Sequence, residues 1–433
     1  YEDVPIPELE LQTNASKGVI NLPQSVDNSI NPFMRSVFNQ GNYPSCSQAS
    51  GIGYAFTYEI NCLRNCSANN EQNIYPERFT YNFLNNGKKQ GVSLIDGWEI
   101  LKQIGCPNAK TYSNPSNIVQ WMNGYDKYYE AMKNRIKKYM QKTIKNEEDL
   151  LVVKSWLYNH NGESSYGGLA SFAVYFKSDT IQLRSGSQIG KALFIPTDIN
   201  NGGGHQMTIV GYDDNVEFDY NSDGKITNDI DINGDGKVDL SDWEKGAFKI
   251  VNSHGSGWGD EGYAYLSYRF CTVKDSCFWG NKVYMLIAES VTPEVTAKIS
   301  INYPKRSEVF VACNSTNSDG SSSFVPNVFN KSMVSSSTFS GDNSNPTLEI
   351  GLDLSGNGLK NLGNSKISAG LFEFDQTHKY QGYVSDFSIF DYRNNQVFEV
   401  KCEQDKVLTQ DLSANMLNID YYLLPSSVSE NLT

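Results

Sequence analysis

No apolar run in the 433-residue sequence approaches the roughly 18 residues that cross a bilayer as a helix. No basic excess is present either: 36 Lys and Arg stand against 49 Asp and Glu, for a net charge of −13 and a pI near 4.9. A nucleic-acid partner is therefore not expected, because phosphate binding needs a basic face. Cysteine is sparse, at eight residues, so disulfides are not the main scaffold. Cys62 with Cys66, and Cys271 with Cys277, are close enough in sequence to pair, and the spacings leave the connectivity open. There is no basic, hydrophobic leader ahead of Tyr1, as expected of a chain whose signal peptide has been removed. Abundant Asn, Ser, Tyr and Gly point to a secreted or cell-surface setting.

A hydrophobic content of 39% with 12% aromatics is ample for packed cores, and the length suits two domains. Residues 1–21 are polar and punctuated by proline, and are expected to form an extension. Residues 46–63 place Ile52, Ala55, Phe56, Ile60 and Leu63 at helical spacing behind Pro44-Ser45, which predicts a helix opening at Cys46. A second helix is predicted over Leu94–Ile104, stopped by Gly105. Residues 121–158 predict a long helical stretch in which Lys133, Arg135, Lys137, Lys138 and Lys142 form a solvated basic face. Strands are predicted over 168–176, 206–212, 247–251 and 283–289. Beyond 289 the composition shifts to Ser and Asn with alternating apolar runs at 298–303, 308–313, 348–354, 371–374, 383–390 and 396–400. Such runs between turn residues predict an all-β sandwich over 290–433. Its Tyr380, Tyr383, Phe387, Phe390 and Tyr392 suit core packing better than an open glycan- or protein-binding platform.

Three segments carry chemistry. In the first, Cys46 stands where a helix begins. A thiolate is the reactive form of cysteine, and a helix N-terminus beside an imidazolium favours it. The Cys46 amide and the nearby Gln40 side chain are candidate donors to an oxyanion. The second segment, 202–212, sets His205 at the start of an apolar strand behind a run of glycines. In the third, 249–263, Asn252 can hold an imidazole without competing for its proton.

Together these stretches resemble the signatures of the papain family of cysteine proteases. The order Gln40, Cys46, His205, Asn252 is that family's order, and the interval from Gln40 to Cys46 matches. His205 follows Cys46 by 159 residues, near the family's spacing of roughly 130–150. Asn252-Ser253, then Gly255, Gly257, Trp258, Gly259, Gly262 and Tyr263, form the most specific match, and 22–27 resembles the start of a mature domain. The resemblance covers about 22–289. It implies an α+β chain: a papain-like, two-lobed catalytic domain over 22–289, followed by the all-β sandwich-like domain. It also implies polypeptide substrates, no organic cofactor, and a role for each residue. Cys46 is the nucleophile, His205 the base, Asn252 its orienting partner and Gln40 the oxyanion donor. Trp258 walls the leaving-group side of the cleft, and Gly91 contributes to the substrate cleft. The chain departs from the family at Tyr43 (usually Cys), Ser47 (usually Trp) and His254 (usually Trp). A catalytically weak binding protein on the same fold is the competing reading. His160 and His378 read as surface or packing residues.

The charge is uneven. Residues 213–244 hold eleven Asp or Glu against Lys225 and Lys237, a balance of −9. Asp231, Asn233, Asp235, Lys237, Asp239 and Asp242 fall at the ligand positions of a calcium loop with Gly236 at its turn. Asp219, Asn221, Asp223 and Lys225 begin a second, incomplete loop. The expectation is structural calcium that stiffens an insertion beside the His205 strand.

Overall fold

Helix begins at Cys46, directly after Pro44-Ser45. Cys46–Gln48 is α-helical, Ala49–Phe56 widens into a π-helix, and Thr57–Arg64 returns to α-helix. The first bond of the series runs from Ala49 N to Ser45 O at 2.8 Å. Every residue of Ala49–Phe56 is buried, which is why an apolar stretch holding two glycines keeps helical form. Asn65 ends the helix in the left-handed region at φ 50°, and the Cys66 amide returns to Asn61 O at 2.9 Å.

The computed structural model describes residues 5–10, 21–176, 180–196, 203–273, 278–317, 320–325, 327–330, 337–355, 365–374, 379–393, 397–404, 406–408 and 416–421. Cys277, His378 and most of the expected N-terminal extension lie outside them. The chain forms two units, Tyr1–Glu77 with Ile136–Ala288, and Arg78–Arg135 with Glu289–Thr433.

The first unit is built on a ten-stranded sheet. Its main path runs Asn134–Thr143, Phe278–Ser290, Ala170–Phe176, Gly203–Glu217, Lys245–Val251, Tyr263–Ser267, Ala192–Phe194 and Thr180–Gln182. Ser25–Asp27 and Ser185–Gly186 add to Gly203–Glu217. The helix Glu147–Asn159 packs Leu150, Val153, Trp156 and Leu157 into a core shared with Phe172, Met207, Phe248 and Leu266 of the sheet. Its N-cap is Asn146, whose side chain accepts from Asp149 N, followed by Glu147 and Glu148, which suit the positive helix end.

The predicted long helix over 121–158 is instead two helices, Tyr125–Met132 and Glu147–Asn159, around the strand Asn134–Thr143. Met140 and Lys142 face inward two residues apart, and that period of two is a strand's, not a helix's. The basic face dissolves accordingly. Arg135 pairs with Asp353 at 2.5 Å and Lys142 with Asp149 at 2.8 Å.

In the second unit, two antiparallel sheets hold the strands predicted beyond 289. One orders Thr347–Asp353, Val295–Asn302, Tyr383–Asp391 and Phe398–Lys401, with Lys406–Leu408 also on Tyr383–Asp391. The other orders Ser322–Phe324, Val309–Asn317, Ser365–Glu373 and Met416–Tyr421. Leu94–Ile104 is helical with the predicted bounds, capped by the Ser93 side chain on Asp96 N and stopped at Gly105. Phe387 is buried in the core. Phe390 stacks on Tyr125 at 4.6 Å and Tyr392 on Tyr129 at 4.4 Å, so these rings serve packing. Cys62 and Cys66 are free thiols, as is Cys271.

Candidate active site

His205 and Asn252 are 47 residues apart in sequence and adjacent in space because their strands form one hairpin. Gly203–Glu217 pairs antiparallel with Lys245–Val251, in the register Thr208 to Val251 and Ile209 to Ile250. Asn252 follows the second strand directly and so comes back to the start of the first. His205 Nε2 lies 2.8 Å from Asn252 Oδ1, with His205 8% and Asn252 0% exposed. Asn252 Oδ1 also accepts from the Ser253 amide at 2.8 Å. Because an amide oxygen only accepts, the bond places the ring proton on Nε2 and leaves Nδ1 as the basic nitrogen.

The Cys46 helix is fastened to the same strand. Ser50 Oγ lies 2.8 Å from Met207 O, Ser171 Oγ and Thr208 Oγ1, all buried. That brings the amide of Gln206, the residue after His205, onto Cys46 Sγ. Burial pushes the Cys46 thiol up, while the amides of Gln206, Ser47 and Cys46 itself pull it down. Burial also holds the His205 imidazole down, to about 4; the Asn252 bond raises it and His254 lowers it. The two burial effects favour an uncharged thiol and an uncharged imidazole at rest.

Gln40 is held from three sides. Its amide N–H donates to Ser253 O at 2.9 Å, its side-chain Nε2 donates to Tyr43 O at 2.8 Å, and its Oε1 accepts from Ser253 Oγ at 2.5 Å. One Nε2 hydrogen remains to be directed elsewhere, since a primary amide carries two. Sequence reasoning did not single out Ser253 for this part, although it lies within the recognised motif. It also missed Tyr54, whose hydroxyl donates to Asn252 O at 3.0 Å and accepts from Phe38 N at 3.3 Å. Tyr54 therefore ties the Asn252 segment to the stretch of chain leading into Gln40. Its only trace in the sequence was its place eight residues along the Cys46 helix.

The glycines of the 252–263 motif have structural causes. Gly262 has φ 93°, and a Cβ there would sit 2.4 Å from Val37; Gly259 has φ 57°, with Tyr263 O 2.3 Å from its would-be Cβ. Trp258 packs on the sheet core, 6.2 Å from Phe194. His254 takes an exposed position with its ring 4.7 Å from that of His205, at an interplanar angle of 32°. Gly91 belongs to the second unit, exposed in the chain ahead of Leu94–Ile104. His160, read as a surface or packing residue, is 7% exposed and pairs through Nε2 with Glu59 at 2.9 Å, which raises its pKa against the effect of burial.

The acidic insertion leaves the sheet at the other end of the His205 strand. Glu217 pairs with Lys245, and the loop between them starts twelve residues beyond His205. At about 3.3 Å per residue that is up to about 40 Å from the ring, so the insertion is not beside the site. Its two halves wrap alike: Gly224 N donates to Asp219 and Gly236 N to Asp231, each at 2.9 Å. Asp223 accepts from Lys225 N and Asp235 from Lys237 N. Asp239 accepts from Ser241 N, and Asp242 accepts from the amides of Ile232 and Asn233. These oxygens suit calcium chemically and keep lone pairs beyond the amide bonds. Among the described residues, however, no group of three or more His, Cys, Asp or Glu is placed to hold a metal ion.

No protein-family model and no curated protein matches the chain. Among solved structures it is similar to xylellain, a cysteine protease from Xylella fastidiosa. That likeness has 17% identity and a TM-score of 0.44, covering 65% of this chain and 91% of that one. It is also similar to digestive procathepsin L 3 of the Tenebrio molitor larval midgut, at 15% identity, a TM-score of 0.41, and 65% and 75% coverage. The bromelain protease from Ananas comosus is a third, at 17% identity, a TM-score of 0.36, and 61% and 99% coverage. With these TM-scores below 0.5, any functional reading rests on the site's own residues.

Proposed function

We propose that the protein is a cysteine endopeptidase acting on polypeptides through Cys46, His205, Asn252 and Gln40. The observation that carries this is the 2.8 Å bond from His205 to Asn252 on a strand whose next amide reaches Cys46 Sγ. In this reading Cys46 Sγ attacks the scissile carbonyl carbon as its proton passes to His205 Nδ1. The oxyanion accepts from the Cys46 amide and from the remaining Nε2 hydrogen of Gln40. The C–N bond then breaks, the amine leaves with the proton from His205, and water deprotonated by His205 hydrolyses the thioester. Asn252 keeps Nδ1 turned to the sulfur throughout. Incubation with a thiol-directed epoxide at about pH 6–7, read by mass spectrometry, is expected to label Cys46 ahead of Cys62 and Cys66. A peptide library is expected to be cut by the wild type and left intact by Cys46→Ala. Labelling of Cys62 or Cys66 with Cys46 untouched, or equal cleavage by both proteins, would overturn the proposal.

An extracellular setting belongs to the proposal on composition. The free Cys62 and Cys66 lend it no support, because oxidising compartments favour pairing. No helix among the described residues is long and apolar enough to cross a membrane. Calcium in the 219–242 loops also remains a proposal, resting on the donor pattern. Its expected signature is a melting temperature lowered by chelator with the rate of Cys46 labelling unchanged, given the loop's distance along the strand. A melting temperature indifferent to chelator and to added calcium would remove the metal.

A further inference from the structure

The peptidase reading uses one of the two imidazoles that meet at the site and leaves the other unexplained. His254 lies over His205 with ring centroids 4.7 Å apart and an interplanar angle of 32°. The two come from different elements, His205 from the strand Gly203–Glu217 and His254 from the loop after Asn252. The loop is fixed by backbone bonds: Gly255 N donates to Phe38 O at 3.1 Å, and Gln40 N to Ser253 O at 2.9 Å. His254 thus cannot drift away without disturbing the segment that carries Gln40.

Resting on the peptidase reading, we propose that His254 is a positioning residue that sets the acid limit of the reaction. When neutral it packs against the His205 ring; when protonated it opposes formation of the His205 imidazolium.

The logic is electrostatic. Transfer of the Cys46 proton to Nδ1 creates a positive imidazolium. A second positive charge 4.7 Å away disfavours that state in proportion to how little water screens it. His254 is exposed, so screening is strong, and the penalty corresponds to about a tenfold loss of rate. Among the described residues, the other neighbours do not offset it. Segment 38–40 presents the neutral Asn39, whose Nδ2 donates to His254 O at 3.4 Å, and the neutral Gln40. The helix Cys46–Gln48 presents Cys46 and no charged residue. On His254's own segment, Asp260 is held by Lys191 at 2.5 Å, and Glu261 follows it. Although the residue is exposed overall, partial burial of its ring against His205 lowers the His254 imidazole, and His254 in turn lowers His205. The sign follows: with His254 held below the ordinary 6.5, the brake is off near neutrality and comes on as the medium turns acid.

The test measures the second-order rate of Cys46 labelling by the epoxide, and kcat/KM on a cleaved peptide, at about pH 5 and about pH 8. Wild type is compared with His254→Trp and His254→Gln, each checked for folding by circular dichroism. Removing the titrating ring is expected to raise the acid-to-alkaline rate ratio about tenfold in both variants, with kcat moving more than KM. A purely structural role would slow labelling equally at both pH values and leave the ratio unchanged. If both folded variants keep the wild-type ratio within about twofold while Cys46 still labels, His254 does not set the acid limit and the peptidase reading stands. If wild-type Cys46 labels at neither pH, the peptidase reading fails and the role of His254 fails with it.

Discussion

His205→Ala is expected to lower kcat/KM for peptide hydrolysis by about a thousandfold or more. The imidazole has two tasks in the proposed cycle, accepting the Cys46 proton and returning it to the leaving amine, and no neighbour can take over either. His254 lies close enough to suggest a substitute, but its ring sits over that of His205, and the bond to Asn252 Oδ1 that orients a base is made by His205. The loss is expected in kcat with KM little changed, since the base acts in the transition state and makes no ground-state contact with a peptide. Asn252→Ala should cost less, because it acts only by holding His205, and the ratio of the two losses measures how far orientation matters. Steady-state kinetics with a melting curve on each variant decides it. A folded His205→Ala protein retaining more than a tenth of wild-type activity would remove His205 from the chemistry.

Trp156→Ala is expected to destabilise the first unit by about 3–5 kcal/mol. Trp156 is 1% exposed at the centre of the core between the helix Glu147–Asn159 and the sheet. Its Nε1 donates to Leu169 O at 2.9 Å, and its ring lies edge-on to His160 at 4.4 Å. It also lies against Gly168, where an added Cβ would come within 2.5 Å of the indole. The substitution leaves a large void, a buried carbonyl without its donor, and a His160–Glu59 pair without its cover. For a unit of this size each kcal/mol moves the melting temperature by about 2–4 °C, so a fall of about 10 °C is expected. Trp156→Phe should recover part of it. Urea denaturation followed by circular dichroism gives the free energy directly, and a loss under about 1 kcal/mol would show that the core closes around the gap.

How much of this was legible before the fold depends on how local each signal is. The helix at Cys46 was legible because Pro44-Ser45 and the apolar spacing act over a few residues. Leu94–Ile104 was legible through its cap and its stopping glycine. The strand Asn134–Thr143 was misread because its four basic side chains, with Lys133 just before it, mimic a solvated helix face, and the partners of Arg135 and Lys142 cannot be seen from its own sequence. His160 was legible as a packing residue, but its partner was not, for the same reason: Glu59 lies 101 residues away. The acidic insertion was legible as a loop beside the His205 strand, but its distance along that strand from the ring was not. Composition locates a loop in sequence and not along a sheet.

Chain order and residue type alone determined which side chains could perform the chemistry: a cysteine at a helix start, a histidine entering an apolar strand, an asparagine ahead of a glycine-rich turn. Only tertiary structure decided that the hairpin register brings Asn252 onto His205, that Ser50 fastens the Cys46 helix to that strand, and that His254 comes over the His205 ring. The reason is that propensity and capping act within a few residues, whereas strand register and buried hydrogen bonds join groups whose sequence separation carries no trace of their proximity.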